Sequence, residues 1–160
     1  MKLAKILVPL DGSMLAEAAM WKALDYATKD DATLSLVRAA EAYTLPGADP
    51  VEAQVRAVRD AEEYLAAARR RLEQRGFGRV ETHVWYGPPA AAIVEAAAAQ
   101  KVDLIVMSTH GRSGLGRLIL GSVAETVLRG TTTSILVVRN EGAPVDVPSG
   151  AQAAKVATHV

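Results

Sequence analysis

The sequence predicts a doubly wound α/β domain, and three observations carry that expectation. Apolar runs of strand length recur at Leu3 to Leu10, Thr33 to Ala39, Val80 to Trp85, Leu104 to Ser108 and Ser134 to Val138. Helical stretches separate them, and alternation of this kind builds a parallel sheet. The runs are mostly unbroken Val, Ile and Leu, as in strands that helices cover on both faces. A chain of 160 residues suits one domain. Its apolar fraction is 50%, yet aromatics make up only 4% and alanine contributes 30 residues, so the core is built from thin side chains.

Each element carries its own punctuation. The first strand runs into Asp11-Gly12, after which Ser13 is placed to cap a helix from Met14 to Thr28. Ala16, Ala19, Ala23 and Ala27 form a small-residue stripe on it that permits close approach to the sheet. After the second strand, Tyr43 to Pro50 contains Leu45-Pro46-Gly47 and reads as a loop whose length makes it a candidate lid. The second helix repeats Val51, Val55, Val58, Leu65 and Leu72, with six arginines and five acids that form mostly a solvated face, and Gly76 stops it. Pro88-Pro89 opens the third helix, where a missing amide does no harm, and the alanines of 90–99 are its packing surface. Ser122-x-x-Glu125 matches a capping box at the start of the fourth helix, and Gly130 is placed to end it. Beyond the fifth strand, Gly142, Pro144, Pro148 and Gly150 break every period, so a domain over 1–139 and a flexible tail over 140–160 are expected.

Composition removes several function classes. Eighteen basic residues balance 18 acidic ones, so no net field favours nucleic acid or an anionic membrane. Without cysteine there is no disulfide framework, thiolate nucleophile or cysteine metal site. His83, His110 and His159 show no metal-ligand spacing, and the aromatics lack the basic interleaving of a nucleic-acid platform. Met1 leads almost directly into the first strand without the pattern of a secretory signal, and the most apolar window, Pro88 to Ala99, is interrupted by Glu95 and far below the ~20 residues of a membrane span. A cytoplasmic location is expected.

The stretch from Met107 to Ser122 carries the chemistry. It leaves the fourth strand, passes Gly111, Gly114 and Gly116, and enters the fourth helix at Gly121-Ser122. Glycines let backbone amides approach a ligand closely, and a helix N-terminus favours an anion. Residues 104–124 hold Arg112 and Arg117 and no acid, so a phosphate group is the natural occupant. Known phosphate and nucleophile motifs do not fit. Gly111 to Gly116 is followed by Arg117-Leu118 where a Walker loop has Lys-Ser/Thr; Leu115 breaks G-x-S-x-G; Ile119 breaks G-x-G-x-x-G. A receiver domain also fails, because the third strand ends in Trp85-Tyr86-Gly87-Pro88 with no phosphoacceptor aspartate.

The spacing Ser108, Gly111, then Gly121-Ser122 resembles the universal stress protein family, in which a small residue, two residues, glycine, nine residues and Gly-Ser/Thr bind ATP phosphates. The likeness extends to Ile6-Leu7-Val8-Pro9-Leu10-Asp11-Gly12-Ser13 and to Asp103-Leu104-Ile105-Val106-Met107. It implies an adenine nucleotide alpha hydrolase-like sheet of order 3-2-1-4-5 with the nucleotide between strands one and four, where a topological switch point also places a ligand. By the resemblance, Asp11 and the backbone of Val37 meet adenosine, Pro9, Leu10 and Met107 lie beside it, and Ser108, Gly111, Gly121, Ser122 and Val123 hold ribose or phosphates, helped by Arg112. Two departures stand out. Ser108 replaces a glycine common in nucleotide-binding members, adding a Cβ near the ribose, and Thr131-Thr132-Thr133 replaces a proline-rich approach to the last strand. Asp11 also has a purely local reading as a turn residue, and Ser122 one as a helix cap.

The resemblance implies a binder of ATP, AMP or ADP that serves as a regulatory or stress-response module, with Mg2+ entering through the phosphates. Hydrolysis is expected to be slow at most, since residues 104–124 offer no carboxylate. Two other classes stay open: an adenylyl-transferring or ATP-hydrolysing enzyme on the same scaffold, and an interaction protein that binds no nucleotide. In the implied strand order Ser134 to Val138 is an apolar edge, which predicts a homodimer through that strand.

Overall fold

The computed structural model describes residues 2–42, 46–47, 49–109 and 120–139. Among them, strands and helices alternate as β1 (Lys5–Pro9), α1 (Met14–Asp30), β2 (Thr33–Ala40), α2 (Pro50–Glu73), β3 (Val80–Tyr86), α3 (Pro89–Gln100), β4 (Leu104–Ser108), α4 (Ser122–Gly130) and β5 (Ser134–Val138). The strands form one parallel sheet of order β3-β2-β1-β4-β5, the order expected from the sequence. Residues 43–45 and 48 of the candidate lid, and the expected tail at 140–160, lie outside the described residues.

Strand alternation divides the apolar side chains between two layers. Ile6, Val8, Leu34, Leu36 and Val106 face α1 and α2, where they meet Leu65, Ala68 and Leu72. Leu7, Val37, Ile105 and Met107 face α3 and α4, against Ile93, Ala96, Ala97 and Val127. The stripe of α1 does what its small side chains allow: Ala19, Ala23 and Ala27 are fully buried against the sheet. The Ser13 hydroxyl accepts the Ala16 amide at 3.1 Å and caps α1. Gly76, at φ +83°, turns the chain away from the end of α2.

Three local expectations are corrected. Val51 and Val55 are 70% and 54% exposed, and the buried residues of α2 are Ala61, Leu65, Ala68 and Leu72. A helix of 24 residues spans about 36 Å, whereas a seven-residue strand spans about 23 Å, so the first turns of α2 overhang the sheet. The charged face of α2 is mostly solvated, as expected, with Arg71 as the exception that reaches across to Glu17 of α1 at 2.7 Å. The cap of α4 is Gly121, not Ser122, and Glu125 pairs with Arg129 at 2.8 Å instead of closing a capping box. Gly130 is the last helical residue of α4 and lacks a positive φ; a Cβ there would lie 3.2 Å from Val94 Cγ2, so it is small because α3 is close. The left-handed helix ends fall instead on Asp31 (φ 60°) and Lys101 (φ 51°), where the sequence has no glycine.

Candidate functional site

A crevice opens at the C-terminal ends of β1 and β4, and a single proline explains it. β1 pairs with β2 as far as Pro9 opposite Val37, but its pairing with β4 stops at Leu7 opposite Ile105. Backbone direction alternates along a strand. Asp103 donates its amide to Lys5 O (2.9 Å) on the β4 side, while Leu10 donates to Val37 O (2.8 Å) on the β2 side. Position 9 therefore faces β4, and proline has no amide to continue that ladder. The strands part at the point where the sheet order reverses, which is where α/β sheets bind ligands.

The chain beyond β4 returns to the same place. Thr109 donates its amide to Val138 O at 3.0 Å, and Gly121 donates to Thr109 O at 2.7 Å. That hydrogen bond between Gly121 and Thr109 sets the start of α4 next to Ser108. Among the described residues no side chain caps α4. The amides of its first turn are donors without helical partners, and with the helix dipole they favour an anion. The Ser122 carbonyl accepts the Thr126 hydroxyl at 2.8 Å, and the Ser122 side chain is exposed.

The expected site residues separate into groups. Pro9 and Asp11 stand on the β1 side of the crevice, and Ser108, Gly121, Ser122 and Val123 on the β4 and α4 side. Met107 is 5% exposed and packs in the α3/α4 layer, to which Val123 and Val37 also belong. The Leu10 side chain is buried in the opposite layer with α1, so only its backbone serves the crevice. Gly111 and Arg112 lie outside the described residues. The local reading of Asp11 is observed: its Oδ1 accepts the Ser13 amide at 2.8 Å, with Gly12 at φ +87° between them. The Val37 carbonyl already takes the Leu10 amide.

A polar cluster missed by periodicity braces the first turn of α1. Glu17 takes both Arg71 guanidinium nitrogens, at 2.7 and 2.9 Å, and the Tyr64 hydroxyl at 3.0 Å. The Arg71 bonds hold the Glu17 carboxyl below its ordinary value, and Glu17 in turn raises Arg71. Burial, then the Glu17 charge, pushes the Tyr64 phenol up to about 12. The Arg38 guanidinium of β2 lies 4.6 Å from the centre of the Tyr64 ring, a cation–π contact that closes the cluster over the sheet. No helix among the described residues is long and apolar enough to cross a membrane.

Known proteins share this architecture. A Staphylococcus haemolyticus protein that carries the universal stress protein name is 35% identical over 144 residues, covering 88% of this chain and 87% of its own. The structure of the universal stress protein UspA from Lactobacillus plantarum superposes with a TM-score of 0.76 at 26% identity, over 87% of this chain and 99% of that one. A universal stress protein solved in complex with cAMP matches with a TM-score of 0.67 at 26% identity, over 86% and 98%. The sequence model of the Universal stress protein family matches residues 2–139, and this chain belongs to that family.

Proposed function

We propose that the crevice binds an adenine nucleotide and that the protein is a nucleotide-responsive regulatory module of the stress response. The carrying observation is the N-terminus of α4, which no side chain among the described residues caps, tied to Thr109 beside Ser108 at the same end of the sheet as the gap that Pro9 opens. The phosphates lie on the amides of Gly121, Ser122 and Val123, and by the family resemblance Arg112 supplies charge. Ser108 and Asp11 flank the ribose, and Pro9 and Met107 bound the base. The cAMP complex of a relative supports adenine as the base and leaves the number of phosphates to this chain's own loop.

The backbone that reads the base sits one pairing step beyond Val37. Past Pro9, β2 continues through Arg38, Ala39 and Ala40 with ladder partners on β3 alone. Gly87 donates to Ala40 O at 3.4 Å, so position 40 faces β3 and position 39 faces the side that β1 has vacated. The amide and carbonyl of Ala39 are therefore the next pair after Val37 that an adenine edge meets. The family resemblance pointed to Val37, and periodicity in the sequence gives no register between strands that would point to Ala39.

Binding, not turnover, is the activity of this set. Residues 104–124 contribute hydroxyls, amides and arginines but no carboxylate to activate a water, and a magnesium ion would be held by the phosphates. β5 is an edge strand whose Ile135, Leu136 and Val138 pack inward, and its outer backbone pairs with the same strand of a second copy to make a homodimer.

Calorimetric titration with ATP, AMP, cAMP and GTP, alone and with Mg2+, tests the proposal through Gly121→Val. Gly121 has φ −58° and ψ 151°, a conformation any residue adopts, so the fold survives the change. The added side chain stands where phosphate approaches. Loss of one or two charge-assisted amide bonds, at about 1.5–3 kcal/mol each, weakens ATP by roughly ten-fold to more than a thousand-fold. An unchanged dissociation constant places the phosphates elsewhere. The absence of heat with every nucleotide at millimolar concentration removes the nucleotide reading, and a monomeric mass by light scattering at tens of micromolar removes the dimer.

A further inference from the structure

The Asp11 turn and the end of β2 are joined directly by one bond, from the Leu10 amide to Val37 O at 2.8 Å. One hydrogen bond fixes a distance but tolerates a range of angles, so by itself it is a hinge. Past Val37, β2 has ladder partners on β3 alone among the described residues, so Arg38 and Ala39 are held along a single edge.

A second connection runs through the α1/α2 layer. Asp11 Oδ1 accepts the Ser13 amide at 2.8 Å, and Ser13 O accepts the Glu17 amide at 3.2 Å, which makes one unit of the Asp11 turn and the start of α1. Glu17 Oε1 accepts the Tyr64 hydroxyl at 3.0 Å, and the Arg38 guanidinium stacks on the Tyr64 ring at 4.6 Å. Arg38 leads back along the strand to Val37, and Val37 to Leu10. Tyr64 thus closes a ring of contacts that begins and ends at Asp11. Arg71 grips both Glu17 oxygens, at 2.7 and 2.9 Å, and so fixes the carboxylate that meets the hydroxyl. The phenol, pushed up to about 12, keeps the proton that it donates at neutral pH.

We propose that Tyr64 is a specificity-determining positioning residue: it locks the Asp11 turn against the end of β2, aligns the Ala39 backbone with the edge of the base, and so makes the crevice select adenine over guanine. This role rests on the nucleotide reading of the crevice. An amide beside a carbonyl matches adenine, which accepts at N1 and donates from its 6-amino group; guanine donates at N1 and accepts at O6, and the same pair opposes it. Tyr64 packs in the α1/α2 layer, whereas Ala124 and Val127 of α4, the helix assigned to the phosphates, pack in the other. Its loss bears on the base and leaves the phosphates alone.

The test compares ATP with GTP by calorimetric titration of the full chain. Two backbone bonds that guanine cannot make give the unaltered protein about a ten-fold preference for ATP. Tyr64→Leu removes both the hydroxyl and the stack; it weakens ATP until the preference is below about two-fold, with the GTP dissociation constant unchanged. Tyr64→Phe keeps the ring against Arg38 and drops only the Glu17 bond, so its preference falls between the two, and it carries the test if Tyr64→Leu does not fold. Val80→Ala is the control, because it opens the same layer at the far end of the sheet, lowers the melting temperature and keeps the full preference. The failures are distinguishable. Binding of neither nucleotide removes the nucleotide reading and this role with it, and equal binding of both by the unaltered protein removes the base reading at Ala39. A preference that both Tyr64 variants retain, or that Val80→Ala loses as they do, overturns the role of Tyr64 alone.

Discussion

Replacing Glu17 by glutamine tests whether the brace at the base of α1 is a charge interaction or a packing accident. Arg71 reaches Glu17 with two nitrogens at 2.7 and 2.9 Å, Tyr64 adds a third bond at 3.0 Å, and the Arg71 Nε is buried without another partner. A hydrogen bond to a charged group contributes about 1.5–3 kcal/mol when sheltered, and an exposed ion pair about 0–1. The Glu17 side chain is 21% exposed and that of Arg71 is 39%, between the two limits, so Glu17→Gln is expected to cost about 2 kcal/mol at pH 7. For a domain of this size that is roughly a 6 °C fall in Tm. The pH dependence gives the sign. The folded-state value of Glu17 is depressed by Arg71, so its stabilisation is complete above the unfolded value of about 4.3 and is lost as pH falls through the lower folded value. Urea unfolding of both proteins from pH 7 to pH 3 should show the gap narrowing over that acid range. Tyr64 supplies the opposite arm. Its folded value is raised to about 12, so its stabilisation is present below the unfolded value of about 10 and disappears as pH climbs from there through 12, a loss that Tyr64→Phe should blunt. A Glu17→Gln cost below about 0.5 kcal/mol, or one that does not change with pH, would refute the electrostatic account.

Leu72→Ala empties a fully buried site in the α1/α2 layer and should cost about 2–5 kcal/mol by urea titration at an unchanged m-value. Lys101→Gly relieves the left-handed end of α3 at φ 51° and should stabilise by about 1 kcal/mol, read as a rise in Tm. Pro9→Ala restores an amide on the β4 side. That amide should exchange slowly, stability should move by less than about 0.5 kcal/mol because the new bond offsets the lost rigidity of proline, and nucleotide affinity should fall as the crevice narrows. Rapid exchange at position 9 would show that the strands part for another reason.

Much of this protein is written locally. The limits of β4, the Ser13 cap, the alanine stripe of α1 and the Pro89 start of α3 follow from side-chain size, caps and periodicity, which act within a few residues. The resemblance to the family was legible in the same local blocks around Asp11, Ser108 and Gly121, and the family model matches residues 2–139. Other features depend on distance between elements. Whether Val51 is buried depends on how far α2 outruns the sheet, and whether Gly130 is a stop or a contact depends on the approach of Val94. Capping by Ser122 or Gly121 is decided by where Thr109 pulls the chain. Glu17, Tyr64 and Arg71 are 47 and 54 residues apart and carry no common period. Pro9 was visible as a proline in a strand, but only pairing with two neighbours of different length turned its missing amide into an opening. Sequence determined which segments are strands and helices because those preferences are short-ranged; the tertiary structure alone decided register, overhang and ion pairs, because these depend on the relative placement of distant segments.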